Sequence, residues 1–241
     1  MSAPGRRRDG KLLTVTSEDL AHRFETIRSR IAEAAAAVGR DPAEVTLVAA
    51  AKSQPVPAIR DAIALGVTAV GHNYVQELRA TRGSLGAAAA RWHFIGTLRS
   101  STAHHVADLA DVVETLAGER AIRRLAGRAA RAGRTVDALL EVDFTGGRSG
   151  YAPDEVAGAA DVVASTEGLR LRGLMTVPPP TPTAEEARPW FRRLRELRDG
   201  VAERYPEVLD LSMGMSLDYQ VAVHEGATMV RIGTALFGPR T

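Results

Sequence analysis

Lys11 and Lys52 are the only lysines in this chain, and arginine fills every other cationic position. Lys52 follows the short apolar run Val45-Thr46-Leu47-Val48-Ala49-Ala50-Ala51, whose composition suits a buried parallel strand. An amine at the carboxyl end of a core strand can lose its proton when desolvated and attack a carbonyl; a guanidinium cannot. The plain alternative is a stem that snorkels to the rim and does no chemistry. Further candidates stand at the ends of later apolar runs: His72-Asn73, His93 with Gly96, Thr115, and Asp143 with the loop Gly146-Gly147-Arg148-Ser149-Gly150. Met175, Ser212 to Ser216, and Arg231-Ile232-Gly233-Thr234 complete the series. Ser216 and the Gly233-Thr234 turn offer hydroxyls and backbone N–H groups of the kind that hold phosphate. A phosphate ester carrying an aldehyde would use both features, its anion gripped there and its carbonyl bonded to Lys52.

Such residues meet only if the elements bring strand ends together. Apolar runs predict strands at about 45–51, 68–71, 92–95, 112–115, 136–142, 169–177, 208–211 and 229–232. Helical patterns fall between them, near 55–65, from Tyr74, through Val106 and Leu109, and over 120–131 and 154–164. A long helix ends near Tyr205, and another covers 219–224. Ahead of the first strand, Ser17 is read as an N-cap, with Leu20, Phe24, Ile27, Ile31 and Val38 on one helical face until Gly39. Eight β-α units in this length predict a closed (β/α)8 barrel with an extra N-terminal helix, whose reactive groups gather at the carboxyl ends of the strands. An open doubly wound sheet is the alternative, but it rarely runs to eight uninterrupted units. Residues 1–13 read as a flexible arm and 14–241 as the barrel.

Composition narrows the function classes. At 241 residues, 45% apolar and 25% charged, the chain resembles an ordinary globular domain. A formal net charge of only +2 argues against nucleic acid as a partner, despite Arg6-Arg7-Arg8 and the arginines of 120–134. Without cysteine there is no disulfide, thiolate metal site or thiol nucleophile. No run is long enough for a membrane span, and no signal-peptide pattern precedes the first helix, so a cytoplasmic protein is expected. Neither a Gly-x-Gly-x-x-Gly turn at the first helix nor a Walker A sequence is present.

Six segments together resemble the pyridoxal-phosphate homeostasis proteins (YggS/PROSC type). They are Ala50-Ala51-Lys52-Ser53, Gly71-His72-Asn73-Tyr74-Val75-Gln76-Glu77, Trp92-His93-Phe94-Ile95-Gly96, Leu171-Arg172-Gly173-Leu174-Met175, Ser212-Met213-Gly214-Met215-Ser216 and Met229-Val230-Arg231-Ile232-Gly233-Thr234. The resemblance runs from about Val45 to Gly238. It implies a barrel like the N-terminal domain of alanine racemase, with pyridoxal 5′-phosphate (PLP) on Lys52 as an internal aldimine. It further implies phosphate contacts at Ser216, Gly233 and Thr234, Arg231 facing the pyridine nitrogen, and Asn73, His93 and Met175 lining the ring. An arginine there keeps the ring nitrogen unprotonated and the ring a poor electron sink. The expected role is therefore PLP carriage in cofactor and amino-acid homeostasis without robust turnover, by a monomer whose clients are PLP-dependent apoenzymes. No catalytic residue and no metal site are assigned. The alternative is a PLP-dependent racemase, which needs an acid/base group on each face of its substrate; Tyr74, Tyr151 and Tyr219 are the tyrosines to consider.

Departures from that family's pattern stand at His72, where it usually has glutamate, at Arg99 to Thr102, and at Arg148, where it commonly has lysine. His72 reads as a rim or packing residue rather than a catalytic one. Arg148 keeps the charge but cannot form a Schiff base, and would instead bridge a phenolate oxygen or a carboxylate. His104 and His105 are adjacent, so on a helix they diverge by about 100° and make a poor metal pair. Trp190, Phe191, Leu194, Leu197 and Val201 read as a core stripe, with Pro189 starting or kinking its helix.

Overall fold

A computed structural model describes residues 17–239. The arm at 1–13, with its arginine triplet and Lys11, lies outside the described residues, so Lys52 is the only lysine among them. Eight parallel strands close into a barrel in sequence order, with β1 paired to both β2 and β8. They are β1 Thr46–Ala50, β2 Ala69–His72, β3 Arg91–Phe94, β4 Val112–Leu116, β5 Val136–Glu141, β6 Leu169–Met175, β7 Asp210–Ser212 and β8 Met229–Ile232. Helix α1 is Ser17–Ala37. The helices between strands are α2 Val56–Ala64, α3 Val75–Leu85, α4 Ala103–Leu109, α5 Glu119–Arg131, α6 Val156–Ala164, α7 Arg188–Ala202 and α8 Tyr219–His224. A four-residue helix, α9 Thr234–Phe237, follows β8, where no helix was predicted.

Helix α1 buries Leu20, Phe24, Ile27, Ile31, Ala34 and Ala35, a stripe at helical spacing, and packs on α2, α8 and α9 outside the seam where β1 meets β8. Two expectations for it fail. Val38 falls one residue past the helix end and is exposed. Ser17 is the first helical residue, and its hydroxyl donates to Asp61 at 3.1 Å. Other elements shift by a turn or less. The sixth strand stops at Met175, and the seventh begins at Asp210, leaving Leu209 exposed. Asp154 belongs to a 3-10 turn that precedes α6. Pro189 sits in the first turn of α7, where a missing N–H costs nothing, and Phe191, Leu194 and Val201 are buried as expected.

Strand alternation divides the barrel into two cores. Outward side chains meet the helices in the main apolar core, which includes Trp92, Phe191, Leu140 and Leu174. Val48, Ala69, Val112, Leu139, Met175 and Met229 form a separate cluster within the barrel. Ion pairs lie at the amino-terminal ends of the strands: Asp137 accepts from Arg91 and Arg170, and Arg172 approaches Asp210 at 3.8 Å. Because residues two apart share a face, Glu114 lies on the face of Val112, Glu141 on that of Leu139 and Arg231 on that of Met229. A polar layer therefore sits inside the barrel, one step toward the carboxyl ends of the strands.

Gly173 permits the close approach of β6 to β7, where it pairs with Asp210. A Cβ there would stand 2.0 Å from the Asp210 carbonyl oxygen, which is backbone and cannot swing aside. Gly173→Ala should lower the unfolding free energy in urea by about 1–3 kcal/mol, the usual cost of forced overpacking.

Candidate functional site

The mouth of the barrel holds a cavity of about 450 Å³ lined by Lys52, Asn73, Met175, Ser216, Arg231, Gly233 and Thr234. These residues come from five strand ends, and closure of the barrel brings them together. Gln54, Ile95, Arg148, Val177, Met215 and Leu217 also line it. His93 does not. Ile95, two residues further along, reaches the cavity, whereas His93 is buried one step beneath it, its Nδ1 2.6 Å from Glu114 Oε1.

Lys52 lies just past β1, on the face that Val48 and Ala50 present to the interior. The next residue, Ser53, has φ +61°, an uncommon conformation for a residue with a side chain. Its N–H donates to Glu77 Oε2 at 3.4 Å. The Lys52 Nζ lies 5.4 Å from the centre of the Tyr74 ring.

The loops after β7 and β8, the latter strand paired with β1, supply an anion cradle. Gly233 leads into α9, and Ser216 Oγ accepts from Ala235 N–H at 3.1 Å, tying the loop after β7 to the first turn after β8. Within that loop, Asp218 accepts from Met215 N–H at 2.6 Å. Gly214 has φ +89°, and a Cβ on it would stand 2.5 Å from Ala222 Cβ. Hydroxyls and backbone N–H groups grouped in this way fit a phosphate.

Arg231 is buried between the two ends. It donates through Nη1 to Ser212 Oγ at 2.5 Å and through Nη2 to the Thr176 carbonyl at 2.8 Å. Burial pushes its pKa down from the usual arginine range, opposed chiefly by the charge of Glu114 and then by Asp218 and Glu141. Glu114 is wholly buried. Burial alone would raise its carboxyl pKa, but the His93 hydrogen bond and charge, Arg231 and the Ser212 hydroxyl outweigh that and hold it below the usual carboxylate range. Sequence reading missed Glu114 and took Thr115 as the polar end of this strand. Thr115 instead faces outward, its hydroxyl donating to the Gly96 carbonyl at 2.5 Å. The available signal was a lone carboxylate two residues beyond an inward valine, within an otherwise uncharged strand.

Arg148 does reach the cavity, from the loop after β5. Its Nε donates to Glu141 Oε1 at 3.2 Å. Asp143 organises that loop by accepting from the N–H groups of Thr145 and Arg148, and these bonds outweigh burial to hold its carboxyl below the usual range. Tyr151 accepts from Gly118 N–H through its hydroxyl, Tyr219 is buried, and Tyr74 stands half-exposed at the rim beside Lys52. The His104 and His105 rings lie 3.9 Å apart on α4, and among the described residues no group of three or more His, Asp or Glu converges on one point.

An amine, an arginine and a hydroxyl-bearing turn around one cavity of a closed (β/α)8 barrel have the chemistry to fit a phosphorylated carbonyl compound. Comparison with known proteins points the same way. Residues 16–241 match the family model "Alanine racemase, N-terminal domain". The chain is 38% identical over 223 residues to the pyridoxal phosphate homeostasis protein of Pseudomonas aeruginosa, covering 92% of this chain and 96% of that one. It is 37% identical over 230 residues to the protein of that name from Escherichia coli K12, covering 92% and 97%. Among solved structures, PipY of Synechococcus elongatus, described with PLP bound, superposes with a TM-score of 0.80 at 31% identity, covering 91% of this chain and 100% of that one. The chain belongs to the pyridoxal phosphate homeostasis proteins, within the alanine racemase N-terminal domain family.

His72, one of the departures from the family pattern, is a packing residue and not a rim one. It is fully buried and stacks on Trp92 with ring centres 6.4 Å apart. Among the described residues neither ring nitrogen has a hydrogen-bond partner, and Glu77 Oε2 is 3.8 Å from Nδ1. Burial lowers its pKa to about 4, so it is neutral at pH 7. The unfolded chain takes up this proton near pH 6.5, before the folded one does. Its contribution is therefore complete above that pH and is lost as pH falls toward 4, a difference of at most about 3 kcal/mol. Urea denaturation between pH 7 and 4 should show a shallower loss of stability for His72→Phe than for the parent chain.

Proposed function

We propose that this protein holds pyridoxal 5′-phosphate in the cavity at the barrel mouth and serves PLP and amino-acid homeostasis without robust turnover. The observation that carries this reading is the convergence of Lys52, Arg231 and the Ser216–Gly233–Thr234 cradle on one cavity. Pyridoxal phosphate supplies an aldehyde able to form a Schiff base with an amine, a ring nitrogen that accepts a hydrogen bond, and a dianionic phosphate. Lys52 is the amine in this assignment. Ser216, Gly233 and Thr234 bind the phosphate with hydroxyl and backbone donors. Arg231 donates to the ring nitrogen, and a guanidinium gives up no proton to it, which disfavours strong electron withdrawal. Asn73 and Met175 lie along the ring.

His93 holds Glu114 from beneath and does not itself line the ring. Arg148 balances Glu141 and presents its charge to the outer part of the cavity, suited to a carboxylate or a phenolate oxygen. Among the described residues no helix is long and apolar enough to cross a membrane. The reading extends to a cytoplasmic monomer whose clients are PLP-dependent apoenzymes, with no nucleic acid partner.

Racemisation is the second reading, favoured by the shared barrel and by the Tyr74 ring beside Lys52. D-amino-acid formation at enzyme-like rates from a panel of L-amino acids, abolished by Tyr74→Phe, would establish it over carriage; negligible product is expected. For carriage, the protein mixed with PLP should show a visible band that Lys52→Ala lacks, and borohydride should fix the cofactor to Lys52. An adduct at Lys11 instead would refute the assignment. Ser216→Ala and Thr234→Ala should each weaken PLP binding by roughly 10-fold to 100-fold, the worth of one hydrogen bond to a charged group.

A further inference from the structure

The polar layer beneath the cavity contains a carboxylate that no step above uses. Glu114 projects from β4 and is fully buried. Its Oε2 accepts from Ser212 Oγ on β7 at 2.5 Å, and its Oε1 meets His93 Nδ1 on β3 at 2.6 Å. Strands β4 and β7 are not neighbours in the closed order, so the Ser212 bond crosses the barrel interior. The Ser212 oxygen also accepts from Arg231 Nη1 at 2.5 Å. One hydroxyl thus relays between a buried cation and a buried anion whose nearest atoms stand 4.0 Å apart.

A guanidinium carries five N–H donors, and the bonds to Ser212 and to the Thr176 carbonyl use two of them. Arg231 lines the cavity, whereas Ser212 and Thr176 do not. We propose that Glu114 is a positioning residue for Arg231, its counter-charge inside the barrel, setting through Ser212 the edge that the guanidinium presents to the ring nitrogen of PLP. This rests on the PLP reading above. Other carboxylates are engaged elsewhere: Glu141 pairs with Arg148, and Asp218 holds the Met215 turn. His93 secures the second oxygen of Glu114, fixing the carboxylate plane; this explains why a histidine close to the cavity does not line it. A buried charge stripped of its partner is strongly disfavoured, so Arg231 without Glu114 would turn toward solvent or toward another carboxylate.

The test uses Glu114→Gln, Arg231→Gln and their double variant, in the full chain, with PLP as the probe. Affinity is read by titration, geometry by the position of the visible band, and folding by circular dichroism of the apoprotein. The expected result is a band in Glu114→Gln still fixed to Lys52 by borohydride but displaced in wavelength, with affinity lower by roughly tenfold or more. The double variant should lose no more than Arg231→Gln alone, because coupled residues fail to add. Partial recovery is expected in Glu114→Asp. If the parent chain gives no band that depends on Lys52, the PLP reading fails and this inference with it. If the parent binds PLP but Glu114→Gln matches it in affinity and band, or the losses in the double variant add, the positioning role alone is refuted. Should Glu114→Gln fail to fold, Ser212→Ala cuts the relay while keeping both charges. A displaced band there supports the proposal, and an unchanged band and affinity overturn it.

Discussion

Arg231 and Glu114 share one hydroxyl inside a closed barrel, and the polar layer at the site is arranged around that contact. Neither charge would be tolerated alone in such a place, since desolvating an unpaired ion outweighs most packing gains. Together they require β3, β4, β7 and β8 to keep their positions around the barrel, because the bonds link side chains from all four strands. The apolar layer just below isolates this network from the ion pairs at the amino-terminal ends of the strands. The result is a rigid floor on which a more open cavity is built.

Above the floor, the work passes to turns. Lys52 is presented by a turn whose following residue has a left-handed backbone conformation, tied to α3 through Glu77. The loop after β7 is fixed by Gly214 and by the Asp218 carboxylate, and is joined to α9 through Ser216. The loop after β5 is folded around Asp143. Each device is local, and each places one or two donors at the cavity edge. The barrel thus divides into a floor of buried charges held across strands and a rim of turns that places polar groups at the cavity.

The use of arginine throughout the chain has a consequence at the rim. Arg148 is held by Glu141, at a position where the sequence resemblance leads one to expect lysine. Its cation is retained, but no second amine faces the cavity among the described residues. On the PLP reading proposed above, Lys52 is the one amine among the described residues placed to form a Schiff base in this cavity.

Much of this was legible in the sequence, for a physical reason. Strand and helix periods, glycine stops and the end of an apolar run are short-range signals, and they marked eight β-α units and put Lys52, Ser216, Arg231, Gly233 and Thr234 at strand ends. Element edges drifted where a 3-10 turn or a strand pairing decided them, as at Asp154 and Leu209. The resemblance supplied Asn73, Met175 and His93 as ring neighbours; the cavity includes the first two and leaves His93 below. Residue types and spacing thus determined the barrel and its amine. Only the tertiary structure decided that Glu114 is the partner of Arg231, that Thr115 faces outward and that His72 is buried with no hydrogen-bond partner among the described residues. Those outcomes depend on which strands face one another across a closed sheet, and that follows from closure and register, which no local stretch of chain encodes.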